Sequence, residues 1–141
     1  ELFFLSNVIN TAWYYHYIGR QKLLQSYQMK MNWKALKNEA ELDEIKLRSE
    51  KRPQVIFKHS TRCSISSVIK SRLEKSVPAE EVDFYFLDLI AYRSISNKVA
   101  SEFLIEHESP QILVIKNREC VYDESHNGIT MSEIIERIKS Q

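Results

Sequence analysis

Glycine is almost absent from this chain of 141 residues: Gly19 and Gly128 are the only two. A Gly-rich loop that cradles phosphate is therefore missing, which excludes a nucleotide held in that way. Cysteine is nearly as scarce. Cys63 and Cys120 stand far apart, and neither belongs to a Cys-x-x-Cys pair. A secreted scaffold stapled by disulfides is excluded, and a reducing compartment with a free thiol fits better. A charge surplus is lacking too, since 20 Lys and Arg against 19 Asp and Glu leave a formal charge of +1. Such a balance gives no electrostatic case for a nucleic-acid partner. His59, His107 and His126 show no zinc-site spacing with another ligand, so no metal is expected.

A long hydrophobic run is also missing. Leu2 to Ile18 is rich in Phe, Trp and Tyr but is interrupted by Asn7, Asn10 and His16. It is shorter and more polar than the roughly 20 apolar residues of a membrane span. It lacks the basic start and small-residue cleavage site of a signal peptide. Three readings of residues 1–30 stay open: a leader upstream of the true start, a partner-binding helical extension, and a weak membrane anchor. Met29 and Met31 are candidate starts, because the well-patterned sequence begins at Met31-Asn-Trp33.

What is present is a regular alternation. Asn38-Glu-Ala-Glu41 reads as a capping box with a helix to about Glu50, carrying Leu42 and Ile45 on its apolar stripe. Arg52-Pro53 ends it. Gln54 to Lys58 is a β-branched and aromatic run that predicts a buried strand. Ser60 to Arg62 reads as a loop. From Cys63 onward, Ile65, Val68, Ile69 and Leu73 fall on one helical face, and Val77-Pro78 closes that helix. Phe84 to Leu89 predicts a second strand. Ile95, Val99, Ala100 and Phe103 return to helical spacing. Ser109-Pro110 precedes a strand from Gln111 to Lys116. Asn117-Arg118 is a tight turn into a strand from Glu119 to Tyr122. Thr130-Met-Ser-Glu133 starts a last helix with Met131, Ile134, Ile135 and Ile138 inward. The order α, β, α, β, α, β, β, α implies an α/β domain, with parallel pairs, a terminal antiparallel hairpin and helices on both faces.

Cys63 sits where the first strand hands over to a helix. A thiol there faces unpaired N–H groups and the positive end of the helix dipole, which favour the reactive thiolate. The alternatives are a small buried hydrophobe and a metal ligand. Arg62 is either a neighbouring cation for the thiol or a solvated loop residue. Ser66, three residues on, is either a hydrogen-bond donor to the thiolate or an ordinary first-turn serine. Asp88 is a buried proton acceptor or a cap on the following loop. Cys120 reads as a half-buried strand thiol, with a distant resolving role as the alternative.

Four spaced segments, Phe57 to Ser66, Asp88 to Arg93, Glu106 to Gln111 and Cys120 to His126, resemble the monothiol bacilliredoxin family. The resemblance covers about Met31 to Gln141. It divides the chain into an N-terminal extension, 1–30, and a thioredoxin-like domain, 31–141. It implies a cytoplasmic thiol–disulfide oxidoreductase, with Cys63 and Ser66 as catalytic positions and Thr61, Arg62, Ser64, Ser109 and Pro110 around the substrate. It implies bacillithiol as co-substrate, bacillithiolated proteins as partners and no tightly bound cofactor. It also implies a cis bond before Pro110. Ser64 stands where the family commonly has proline, so a first turn less rigid than usual is expected. Competing functions are a non-catalytic peptide-binding module, a glutaredoxin-like protein using another small thiol, and an iron–sulfur carrier built from two protomers.

Overall fold

The computed structural model describes residues 16–20 and 31–140. The chain falls into two units, Glu1–Lys30 and Met31–Gln141. Residues 16–20 of the first unit are helical. The three readings of residues 1–30 otherwise lie outside the described residues. Among the described residues, no helix is long and apolar enough to cross a membrane.

The second unit runs β1 (Trp33–Ala35), α1 (Glu39–Arg48), β2 (Gln54–His59), α2 (Ser64–Glu74), β3 (Asp83–Asp88), α3 (Arg93–Phe103), β4 (Gln111–Lys116), β5 (Glu119–Ser125) and α4 (Met131–Lys139). The strands form one sheet in the order β1-β3-β2-β4-β5. β1 and β2 run parallel to β3, while β4 pairs antiparallel with β2 and β5. β2 is central and buried along its whole length, its polar residues Gln54, Lys58 and His59 included.

Side chains alternate along β2 and fill two cores. Val55 and Phe57 meet Ile69 and Leu73 of α2 and Ile134 of α4. Ile56 meets Leu42 and Ile45 of α1 and Ile95, Val99 and Phe103 of α3. So α2 and α4 cover one face, and α1 and α3 the other. Local signals set the helix starts. Asn38 and Glu41 form the reciprocal capping box, and Thr130 accepts from the Glu133 N–H at 3.3 Å.

Several sequence expectations need correction. The expected order contained no β1. Three residues are too few to show alternation, and this strand is held by its neighbours instead. Trp33 packs against Phe57, Phe84 and Phe86, and its Nε1–H donates to Glu74 at 3.0 Å. The inward face of α2 also differs. Ser66, Ile69 and Leu73 are buried, whereas Ile65 and Val68 are exposed. A buried serine rotates the stripe away from the one that counting apolar residues predicts. On α3, Ala100 is only half-buried beside the buried Ile95, Val99 and Phe103.

The end of α3 carries local strain. Leu104 has φ 54° and ψ 43°, and its side chain is 91% exposed. A non-glycine residue in this left-handed conformation costs about 1–2 kcal/mol, and Gly is the usual occupant after a helix. Leu104→Gly loses no burial and relieves that cost, less the extra chain entropy of glycine. A gain of about 0.5–1 kcal/mol in unfolding free energy is expected by urea titration.

Candidate functional site

β2 ends at His59, and the chain turns through Ser60, Thr61 and Arg62 before α2 begins at Ser64. Cys63 is the residue that caps this helix, with extended backbone (φ −111°, ψ 117°). Its N–H donates to the Ser60 carbonyl at 3.2 Å, and its carbonyl accepts from the Ser67 N–H at 3.3 Å. The thiol is free and half-buried. Thr61, Arg62 and Ser64 beside it are exposed. α2 forms with Ser64 as its first residue, so a proline there is not required for the turn.

Ser66 does not serve the sulfur directly. It is fully buried, and its Oγ accepts from the Ser60 N–H at 3.0 Å. The same oxygen hydrogen-bonds His59 Nδ1 at 2.7 Å. His59 lies against Phe57 and Phe86, with ring centroids 5.9 and 5.2 Å away. Burial, and then the Lys70 cation, push its pKa below the usual histidine range. The serine therefore ties the last residues of β2 to the first turn of α2 and sets the loop on which Cys63 sits. Ser66→Ala leaves two buried polar groups without their partner. A loss of about 1–3 kcal/mol in unfolding free energy is expected, read from a denaturant midpoint at unchanged slope.

The Ser109–Pro110 bond is cis. Lys58 pairs with Gln111 across β2 and β4. Continuing that register places Pro110 opposite His59 and Ser109 opposite Ser60, at the loop that carries Cys63. The Ser109 Oγ is buried and has no hydrogen-bond partner among the described residues. The Pro110 carbonyl accepts from the His126 N–H at 3.0 Å, which ties this segment to the end of β5.

Other singled-out residues fall elsewhere. Asp88 Oδ1 accepts from the N–H groups of Ile90 and Ala91 at 3.0 and 3.2 Å, and so caps the loop after β3. Cys120 pairs with Ile115, which in turn pairs with Gln54 at the opposite end of β2. Gln54 to His59 spans five residue steps, or about 17 Å of strand. A disulfide needs its Cα atoms within about 7 Å, so Cys120 is no resolving partner for Cys63. Burial, and then Asp123, push the Cys120 thiol up to about 11. His59 and His107 belong to different networks, and among the described residues no three metal-binding side chains converge.

Sequence reasoning missed Lys58. Its side chain is fully buried at the end of β2. Nζ lies 2.8 Å from His107 Nδ1 and donates to Gln111 Oε1 at 3.1 Å. Burial, and then the Arg93 cation, lower its pKa to about 8. A lysine inside an otherwise apolar β-run is the signal that could have found it.

This sheet order, with a thiol capping the helix after the central strand and a cis-proline opening the hairpin, defines a protein of the thioredoxin class. Solved structures agree on the fold. One, described provisionally as an oxidoreductase with a thioredoxin fold, is 25% identical, with TM-score 0.65 over 73% of this chain and 90% of its own. Spinach chloroplast thioredoxin f is 14% identical, with TM-score 0.63 over 79% of this chain and 97% of its own. Malassezia sympodialis thioredoxin is 17% identical, with TM-score 0.60 over 76% and 88%. Residues 34–134 match the family model of the monothiol bacilliredoxin BrxC. The chain belongs to that family, and its role is in thiol redox chemistry.

Proposed function

We propose that this protein is a monothiol oxidoreductase that removes bacillithiol from protein mixed disulfides through Cys63. The observation that carries the reading is the placement of two thiols. One caps a helix beside the cis-proline, and the other is half-buried at the far end of the sheet with its thiol pushed up to about 11. With Ser66 in the position three residues on, no second sulfur stands ready to close an internal disulfide.

The chemistry then follows from thiol–disulfide exchange. The Cys63 thiolate attacks the bacillithiol sulfur of the mixed disulfide. The S–S bond breaks, and the repaired protein leaves as a thiolate that takes a proton from water. A second bacillithiol, as thiolate, attacks the bacillithiol sulfur now on Cys63. Bacillithiol disulfide forms and Cys63 returns as thiolate. Each step makes one S–S bond and breaks one, so bacillithiol is co-substrate and no tightly bound cofactor is needed. Ser66 holds the loop. Thr61, Arg62 and Ser64 line the approach, and the Ser109 backbone before Pro110 pairs with an extended substrate segment in β-fashion. The working compartment is a reducing one, as in the cytoplasm, with no nucleic acid or membrane as partner.

The test is to incubate the protein with a bacillithiolated substrate and weigh both chains intact. The expected result is loss of one bacillithiol from the substrate and its appearance on this chain. Binding of the substrate with neither mass changed would identify a peptide-binding module instead.

A further inference from the structure

Arg93, His107 and Lys58 converge beyond the carboxyl ends of β2 and β3. Arg93 opens α3, just after β3. Its Nη1 lies 3.3 Å from His107 Nε2, and His107 Nδ1 lies 2.8 Å from Lys58 Nζ and 3.3 Å from Ser96 Oγ. A lysine ammonium can only donate, so Nδ1 is the accepting nitrogen of the ring, and the Nε2–H stands beside the Arg93 guanidinium. Three basic groups stand in line, yet among the described residues no ion pair includes any of them. The crowding shows at His107. His107 is held below the usual histidine range by burial, and then by the Lys58 and Arg93 charges. Cationic side chains usually share space with carboxylates; among the described residues none pairs with this line, and the Asp123 carboxylate accepts from the Gln111 Nε2–H at 3.3 Å instead.

The corner belongs to the same end of the sheet as Cys63. Lys58 is followed by His59 and then by the loop that carries the thiol. The Leu89 N–H donates to the His59 carbonyl at 3.0 Å, which joins the two strand ends. Gln111, the lysine's other partner, directly follows the cis-proline. Its Nε2 donates to the Glu106 carbonyl at 2.9 Å, and its Oε1 accepts from the Glu108 N–H at 3.3 Å. The basic line thus braces the segment that enters Pro110. Arg93 and His107 are exposed, whereas Lys58 stands buried behind them.

We propose that Arg93 and His107, backed by Lys58, form an anion subsite that receives a carboxylate of the small thiol while its sulfur is exchanged at Cys63. The inference rests on the reading of Cys63 as the exchanging thiol. It adds how the protein selects an acidic thiol over a neutral one. A guanidinium bonded to a carboxylate forms a charge-assisted pair, stronger than a neutral hydrogen bond. The carboxylate supplies the ion-pair partner that this line lacks among the described residues.

The test compares two disulfides as donors to the reduced protein. Bacillithiol disulfide carries carboxylates, and hydroxyethyl disulfide carries no charge. In both cases the Cys63 thiolate attacks one sulfur, forms a mixed disulfide and releases one thiolate. The ratio of the two second-order rate constants, followed by intact mass, is expected to fall about tenfold in R93Q. H107Q is expected to lower it less, and R93K to restore part of it. An unchanged ratio in both R93Q and H107Q overturns the subsite, as does an equal slowing with both disulfides. Failure of the wild type to form an adduct with either disulfide would overturn the Cys63 reading itself, and the subsite with it.

Discussion

Replacing Cys63 by serine is expected to reduce removal of bacillithiol from a mixed disulfide to the background of free-thiol exchange. Exchange requires a thiolate that attacks a disulfide sulfur, and a serine hydroxyl neither ionises at neutral pH nor makes a stable bond to sulfur. The expected loss is ~10³-fold or more, the scale on which enzymes lose rate when the nucleophile is removed. The fold should be untouched, because the Cys63 side chain makes no capping bond and its backbone N–H and carbonyl bonds to Ser60 and Ser67 survive the change. Cys120→Ser is the matched control. That sulfur lies at the far end of β2, with its thiol pushed up to about 11 by burial and Asp123. At pH 7 it is almost wholly protonated, so the variant is expected to keep the wild-type rate. Comparable losses in the two variants would remove the assignment of the nucleophile.

The second large effect concerns Lys58. Its folded-state pKa is about 8 against an ordinary value of 10.5, because burial and then Arg93 oppose the charge. Below pH 8 both folded and unfolded chains carry the proton, and the folded protein bears the cost of a buried cation. Between pH 8 and 10.5 the unfolded chain still binds a proton that the folded one has released. Stability therefore rises with pH across that window and levels above it. Lys58→Met removes the titration while keeping the length of the side chain. The wild type is expected to gain up to about 3 kcal/mol relative to the variant between pH 8 and 10.5. Taking the difference cancels Cys120, whose raised pKa lowers stability between pH 9 and 11 in both proteins. Urea titrations at closely spaced pH values read the difference. A gap between the two proteins that does not change with pH contradicts a buried lysine with a lowered pKa.

Much of the architecture is legible in the residues, because the signals are local and strong. The capping box at Asn38, the β-branched and aromatic run at Gln54 and the Asn117-Arg118 turn each depend on a few adjacent side chains. That turn takes φ values of 49° and 68°, as a tight hairpin demands. The strand before it, Gln111–Lys116, matches its expected bounds, while the one after it runs on to Ser125 rather than stopping at Tyr122. What stayed hidden depends on distant partners. β1 exists because Trp33 finds three phenylalanine rings from β2 and β3. The inward face of α2 turns on Ser66, a polar residue buried only because Ser60 and His59 satisfy it.

The site divides along the same line. Cys63 and Pro110 could be picked out because each marks a junction between elements. The basic line of Lys58, Arg93 and His107 could not, since its members come from a strand, a helix start and a loop that are far apart in sequence. A lone lysine in an apolar strand is read at first as an interruption. Only the fold shows that it meets a histidine 49 positions away. The same holds for Ser66: its position relative to Cys63 was visible, but its partners were not.

The most direct measurement is the site and number of adducts formed by the reduced wild type with bacillithiol disulfide. Intact mass followed by peptide mapping under non-reducing conditions reads both. One bacillithiol per chain, on the peptide that contains Cys63, is the expected result. Labelling of Cys120 at an equal rate, or an unmodified Cys63 after the disulfide has been consumed, would contradict it.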